Sequence, residues 1–200
     1  MEFKDRIIEI LSNKNYSPLN DESILKVLKV ERSDIGQFFA DLDNMEAQGL
    51  IFKTRKNKYV LPNRINLVVG ILKKNRKGFG FVISESDDKG DVYISSSEMN
   101  SAMHGDRVAV RLMFDEEGDK SREGEVVKVI KRNNYEVVGT FDRSDKFGFV
   151  IPDDPRVGHD IFIPQDQING AVTGDKVVAK IKVWPQKQRN PEGEITEVLG

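Results

Sequence analysis

The sequence predicts an α+β protein, a small helical head followed by two five-stranded β-barrels. Three observations carry this. Apolar residues recur at helical spacing through the first 62 residues, a period of two takes over from residue 66, and the period-two part is written twice. Lys77-Gly78-Phe79-Gly80-Phe81-Val82-Ile83 returns as Lys146-Phe147-Gly148-Phe149-Val150-Ile151, and Asp91-Val92-Tyr93-Ile94 as Asp160-Ile161-Phe162-Ile163. Gly105-Asp106-Arg107-Val108 returns as Gly174-Asp175-Lys176-Val177, and Glu123-Gly124-Glu125-Val126 as Glu192-Gly193-Glu194-Ile195. The copies lie 68 or 69 residues apart, so one supersecondary unit is duplicated. The expected domains are 1–65, 66–134 and 135–200.

In the head, Phe3, Ile7, Ile8 and Leu11 share one helical face. Ile24, Leu25 and Leu28 mark a second helix after the turn-forming Ser17-Pro18-Leu19-Asn20. Ile35, Phe38, Phe39, Leu42 and Met45 hold helical spacing for three turns; Ser33 is placed to cap that helix and Gly49 to end it in a left-handed conformation. Ile51–Thr54 and Tyr59–Leu61, joined by Lys56-Asn57-Lys58 and closed by Pro62, form a hairpin. Three helices and a hairpin describe a winged helix. Beyond it, strands are expected near 67–72, 78–84, 91–95, 107–113 and 124–130, and again near 136–142, 147–151, 160–163, 176–183 and 193–199. Five short strands per copy suggest a closed barrel of the OB type. Ser96–Met103 and Gln165–Val172 fill the same place in each copy as a loop or single helical turn. The longest irregular pieces, Asp115–Glu123 and Pro185–Glu192, lie between the last two strands, where OB binding loops can lie.

The duplicated aromatic strand carries the chemistry. Alternation puts Phe79 and Phe81 on one face and Gly78, Gly80 and Val82 on the other. Tyr93 on the next strand supplies a third ring, and Lys73, Lys74, Arg76 and Lys77 lead into the strand. Rings that receive bases, beside cations that meet phosphates, make a platform for single-stranded nucleic acid. Phe on a strand is more often core, but glycine is poor core filler, and the pattern occurs twice beside basic residues. The second copy keeps Phe147, Phe149 and Phe162, with Arg143 and Lys146 as its nearby cations.

Composition bounds the alternatives. The net charge is −2: residues 1–65 carry +1, 66–135 carry 0 and 136–200 carry −3, so a polyanion must be met by a local patch. There is no cysteine, which removes disulfides and thiolate metal sites and fits a reducing, cytoplasmic location. No run is apolar enough to span a membrane, and the polar Met1-Glu2-Phe3-Lys4-Asp5 is unlike a signal peptide. His104 and His159 lack the neighbours a zinc site needs. Asp87-Asp88 and Asp153-Asp154 read as turn formers rather than acid–base pairs, and Ser95-Ser96-Ser97 has no base partner in any recognisable motif. Neither a catalytic nor a metal site is expected. Sequence-specific DNA reading is disfavoured, because Asp34, Asp41, Asp43 and Glu46 line the third helix with no Lys or Arg over 34–48. The hairpin is basic at Lys53, Arg55, Lys56 and Lys58, either a solvated surface or an auxiliary RNA contact. Trp184, before Pro185, is read as barrel-edge packing.

Lys77-Gly78-Phe79-Gly80-Phe81-Val82 followed by Asp91-Val92-Tyr93-Ile94 resembles the two ribonucleoprotein motifs of cold-shock domains. The order winged helix, cold-shock domain, cold-shock domain resembles the N-terminal region of ribonuclease R-type members of the ribonuclease II family, over essentially all 200 residues. The resemblance implies stacking roles for Phe79, Phe81 and Tyr93, with Phe147, Phe149 and Phe162 as counterparts. Where cold-shock proteins usually carry a His in the second motif, Ser95 and Pro164 stand here. It further implies a processive 3′→5′ exoribonuclease whose Mg²⁺ and aspartate cluster belong to a later domain. On this reading the chain is a fragment that binds single-stranded RNA without cutting it, needs no cofactor of its own and works with its own catalytic domain. The alternative is a stand-alone RNA chaperone or nucleic-acid-binding regulator.

Overall fold

In a computed structural model of the chain, which describes residues 3–85, 90–114, 122–133, 135–186 and 189–200, the head is built from α1 (Phe3–Ser12), α2 (Asp21–Val27) and α3 (Ile35–Ala47). Each helix turns its apolar stripe inward. Ile7 and Leu11 of α1, Ile24 of α2 and Phe38, Leu42 and Met45 of α3 are buried together with Ile51 and Tyr59. Asn20 caps α2 by accepting the Ser23 amide at 3.0 Å. The expected Ser33 cap on α3 is not formed. A 3-10 turn over Arg32–Asp34 runs straight into the helix, and the Ser33 hydroxyl instead donates to the Asp34 carboxylate at 3.2 Å. Gly49 follows α3 at φ 68°, as a C-terminal glycine should. The hairpin is β1 (Phe52–Lys53) and β2 (Tyr59–Val60), and Leu19 bridges to Tyr59 on the far side of β2, completing the winged helix.

The first barrel is β3 (Leu67–Lys74), β4 (Gly80–Ser84), β5 (Val92–Ile94), β6 (Arg107–Phe114) and β7 (Arg122–Lys131), closed in the order β3-β4-β5-β7-β6. The second is β8 (Glu136–Arg143), β9 (Phe147–Pro152), β10 (Ile161–Pro164), β11 (Lys176–Val183) and β12 (Glu192–Val198), with the same cyclic order. Every expected strand is present, most with ends shifted by a residue or two. In both barrels the third and fifth strands run parallel and all other described pairs antiparallel. Short 3-10 turns at Ser96–Glu98 and Gln165–Gln167 occupy matching places. The loop expectation over 115–121 and the turn expectation at Asp87-Asp88 fall outside the described residues. Compact packing divides the chain into Met1–Val68 and Val69–Gly200, the latter holding most of the first barrel and all of the second.

The repeated Gly-Asp pair has a structural use. In the first barrel the Asp106 amide and carboxylate both engage Met103, and Gly105 and Asp106 clasp β3 through Leu72. In the second, Asp175 does the same with Val172, and Gly174 and Asp175 clasp β8 through Phe141. The barrels also share packing. Met103, which comes from the first barrel, is buried in the same cluster as Val137, Phe141, Ile161 and Ile163 of the second. Trp184 packs against that cluster, with Tyr135 edge-on to its ring at 5.6 Å and the Arg132 guanidinium 4.1 Å above it. Arg132 in turn binds the fully buried Asp106 at 2.8 Å. Trp184 therefore closes the barrel junction, a more specific role than edge packing.

Candidate nucleic-acid interface

The interface begins with alternation on β4. Val82 points inward and is buried, while Phe81 lies on the outer face, 39% exposed. Phe79 and Tyr93 flank it, part-exposed. The three rings form a cluster. Centroids are 5.9 Å apart for Phe79–Phe81 and 5.7 Å for both Phe79–Tyr93 and Phe81–Tyr93. Gly80 is required between the two phenylalanines, since a Cβ there would stand 2.9 Å from the Lys73 carbonyl oxygen and 3.0 Å from Leu72. The backbone is thereby drawn close to β3 while both rings stay outside.

The second barrel reproduces this geometry. Phe147–Phe149 centroids are 5.7 Å apart, Phe147–Phe162 5.5 Å and Phe149–Phe162 5.7 Å. Interplanar angles of 86°, 39° and 66° in the first trio become 85°, 36° and 68° in the second. Gly148 is held as tightly, because a Cβ would meet the Phe141 ring at 2.3 Å. The turn before the rings is shorter by one residue: Asn75 pairs with Phe79 in the first barrel, and Ser144 with Phe147 in the second. The residue lost is the counterpart of Gly78, which takes φ +96°.

Charge separates the two faces. The neighbour of Phe81 across the ladder is Lys73, whereas the neighbour of Phe149 is Asp142. Paired residues share a face, so one trio has a cation beside its central ring and the other an anion. Spacing along one strand does not reveal this, because the pairing belongs to two strands. Lys73, Arg76 and Lys77 are exposed beside the first trio, as is Lys146 beside the second. Exposed Ile83 and Ile151 extend each stripe by one position, a continuation of the same alternation that the sequence reading left unused.

Lys74 is a correction. Its place in the basic run implies the exposed face of Lys73, but alternation turns it to the opposite side and buries it, 8% exposed, at the barrel junction. Its ammonium donates to the Val157 carbonyl at 3.3 Å, and its amide donates to His104 Nδ1 at 3.0 Å. Burial lowers its pKa. Burial also lowers the pKa of His159, with the Lys74 charge adding to the effect. On the wing, Arg55, Lys56 and Lys58 are exposed, while Lys53 lies 3.5 Å from Glu46 and 5.0 Å from the Tyr59 ring centroid. Asp153 pairs with Lys176 and Asp154 with Arg156, so both acids serve surface contacts. Among the described residues no group of three or more His, Cys, Asp or Glu is placed to hold a metal ion, and no helix is long and apolar enough to cross a membrane.

Comparison with known proteins agrees with this architecture. Residues 70–129 match the ribonuclease B OB domain and residues 149–200 the cold shock domain. Ribonuclease R of Escherichia coli K12 is 34% identical over 198 residues, taking in 98% of this chain and 24% of that protein. Ribonuclease R of Thermotoga maritima is 30% identical over 199 residues, 98% of this chain and 27% of that one. The chain thus spans about a quarter of the length of these relatives. Among solved structures, Mycoplasma genitalium RNase R in complex with ribose methylated single-stranded RNA aligns with a TM-score of 0.60 at 24% identity, over 66% of this chain and 21% of that one. Yeast Ssd1, a pseudonuclease, aligns with a TM-score of 0.59 at 24% identity, over 69% and 23%. At that identity both speak for the fold.

Proposed function

Because the chain belongs to the ribonuclease R family, we propose that it collects single-stranded RNA and guides the 3′ end toward the catalytic part of a 3′→5′ exoribonuclease. The observation that carries this is the trio Phe79, Phe81 and Tyr93 on the outer face of the first barrel, with Lys73 beside its central ring. Two or three bases stack on the rings, and Lys73, Arg76 and Lys77 meet the phosphates between them. Stacking tolerates any base, as a degrading enzyme requires. Phe147, Phe149 and Phe162, with Lys146, offer a second and weaker platform, weakened by Asp142. The M. genitalium relative, solved with single-stranded RNA, supports RNA as the polymer.

In this proposal hydrolysis, and the Mg²⁺ it uses, belong to another part of the enzyme, which works in the cytoplasm. This chain's residues bind and orient. The test is fluorescence anisotropy of the 200-residue chain with a labelled oligoribonucleotide, single-stranded and in a duplex. Preference for the single strand is expected, and equal or absent binding overturns the proposal. Labelled RNA incubated with the chain and Mg²⁺ should keep its length; shortening would place catalysis in this chain.

A further inference from the structure

Where the two barrels meet, a cavity of about 410 Å³ opens between the end of β3, the Ser96–Glu98 turn and the Gly158-His159 loop. Lys74 lines it and is 8% exposed. The described hydrogen bond of its ammonium runs to the Val157 carbonyl at 3.3 Å, and no carboxylate of the described residues pairs with it. A buried cation whose described acceptor is one neutral carbonyl is costly, and an anion delivered to it relieves that cost. Gly158 makes room for the ammonium, since a Cβ there would stand 2.3 Å from the Lys74 nitrogen. The remaining wall is mixed: polar Ser96, Ser97, Asn100, His159 and Gln186 stand beside apolar Met99 and Ala102. One carboxylate, Glu98, also lines the cavity and accepts from the Ser97 hydroxyl at 3.2 Å.

We propose that this cavity binds a phosphoryl group, with Lys74 supplying the charge and Ser96, Ser97 and His159 the hydrogen bonds. A phosphate of an RNA strand and that of a free nucleotide share this chemistry. The strand is the favoured source because Gly78, which directly precedes Phe79, lines the same cavity. RNA stacked on the first trio passes the mouth of the cavity and can place one phosphate inside. The choice of source rests on the RNA-binding reading; the charge of the cavity does not.

The test is a series of ¹H–¹⁵N NMR titrations of the 200-residue chain with inorganic phosphate, then AMP, then an octaribonucleotide. Saturable shifts are expected at the Ser96, Gly158 and His159 amides, lost in Lys74→Met and tightened several-fold in Glu98→Gln. Lys74→Met should weaken octamer binding about tenfold and reduce the slope of log K against log salt by about 0.7. The proposal is overturned if phosphate leaves those amides unmoved, or if Lys74→Met keeps both the shifts and the slope. Shifts with phosphate and AMP but not with the octamer support the cavity and assign it to free nucleotides. An octamer that binds nowhere removes the RNA reading, while the phosphate titration of the unaltered chain still decides the cavity and needs no variant to fold.

Discussion

Replacing Phe79 and Phe81 together by alanine removes two of the three rings of the first trio and leaves the barrel core untouched. Each base stacked on an aromatic contributes about 1–3 kcal/mol. The two rings touch, at 5.9 Å between centroids, so their losses overlap rather than add. A combined loss of about 2–4 kcal/mol follows, or roughly 30- to 1000-fold in affinity. Folding should suffer far less. Phe81 is 39% exposed, Phe79 is part-exposed, and the contacts they lose are ring edges on the surface, each worth about 0.5–1.5 kcal/mol. Phe141→Ala is the control, because that ring is fully buried and its loss should cost about 3–5 kcal/mol of stability. The assay is anisotropy with a labelled single-stranded oligoribonucleotide, alongside denaturant unfolding of each variant. A folded double variant that binds RNA as tightly as the parent would refute stacking on this face.

Charge reversal at Asp142 supplies a complementary gain. Asp142→Lys copies the Lys73 position and should strengthen RNA binding several-fold at low salt and less at high salt, read by anisotropy across a salt series. Gly148→Ala should destabilise the second barrel by about 1–3 kcal/mol, measured by denaturant unfolding, because its Cβ would meet the Phe141 ring at 2.3 Å. Arg132→Ala removes the guanidinium from buried Asp106, whose other described carboxylate bonds come from the Met103 and Asn133 amides, and uncovers Trp184. Lower stability and a red-shifted emission from that single tryptophan are expected. His104 and His159 both titrate below their ordinary 6.5 in the folded chain, chiefly through burial. The unfolded chain therefore binds more protons just below pH 6.5, so their contribution is full above it and falls as pH drops toward the lowered values. Melting temperature should decline over that window, and the decline should shrink in His159→Gln.

Much of this was legible in the sequence, for identifiable reasons. Period-two alternation located Phe79, Phe81 and Val82 on their correct faces, because side-chain direction along one strand is a local property. The duplication supplied the second barrel, down to the trio Phe147, Phe149 and Phe162. What escaped were relations across strands. Lys74 counted as one more cation in a basic run until alternation and the neighbouring barrel buried it. Asp142 drew no notice because its importance lies in standing opposite Phe149. Ser33 met the compositional rule for a helix cap, but a 3-10 turn already occupied that entry. Met103 and Arg132 reach from one copy of the repeat to the other, and no internal similarity reports a contact that the two copies do not share.

Met103 bears on how this duplicated pair can be taken apart. A second barrel prepared alone, from residue 135 onward, lacks a side chain that is buried in its core cluster with Val137 and Phe141. That side chain is 1% exposed, and losing a buried methionine costs about 2–5 kcal/mol. That is a large share of what a domain of this size holds in reserve. The copies descend from one unit but are no longer separate parts: the first supplies a plug that the second cannot replace from its own sequence. Dissection experiments should therefore keep both barrels together, from β3 to Gly200, because the loop that carries the plug is clasped to β3.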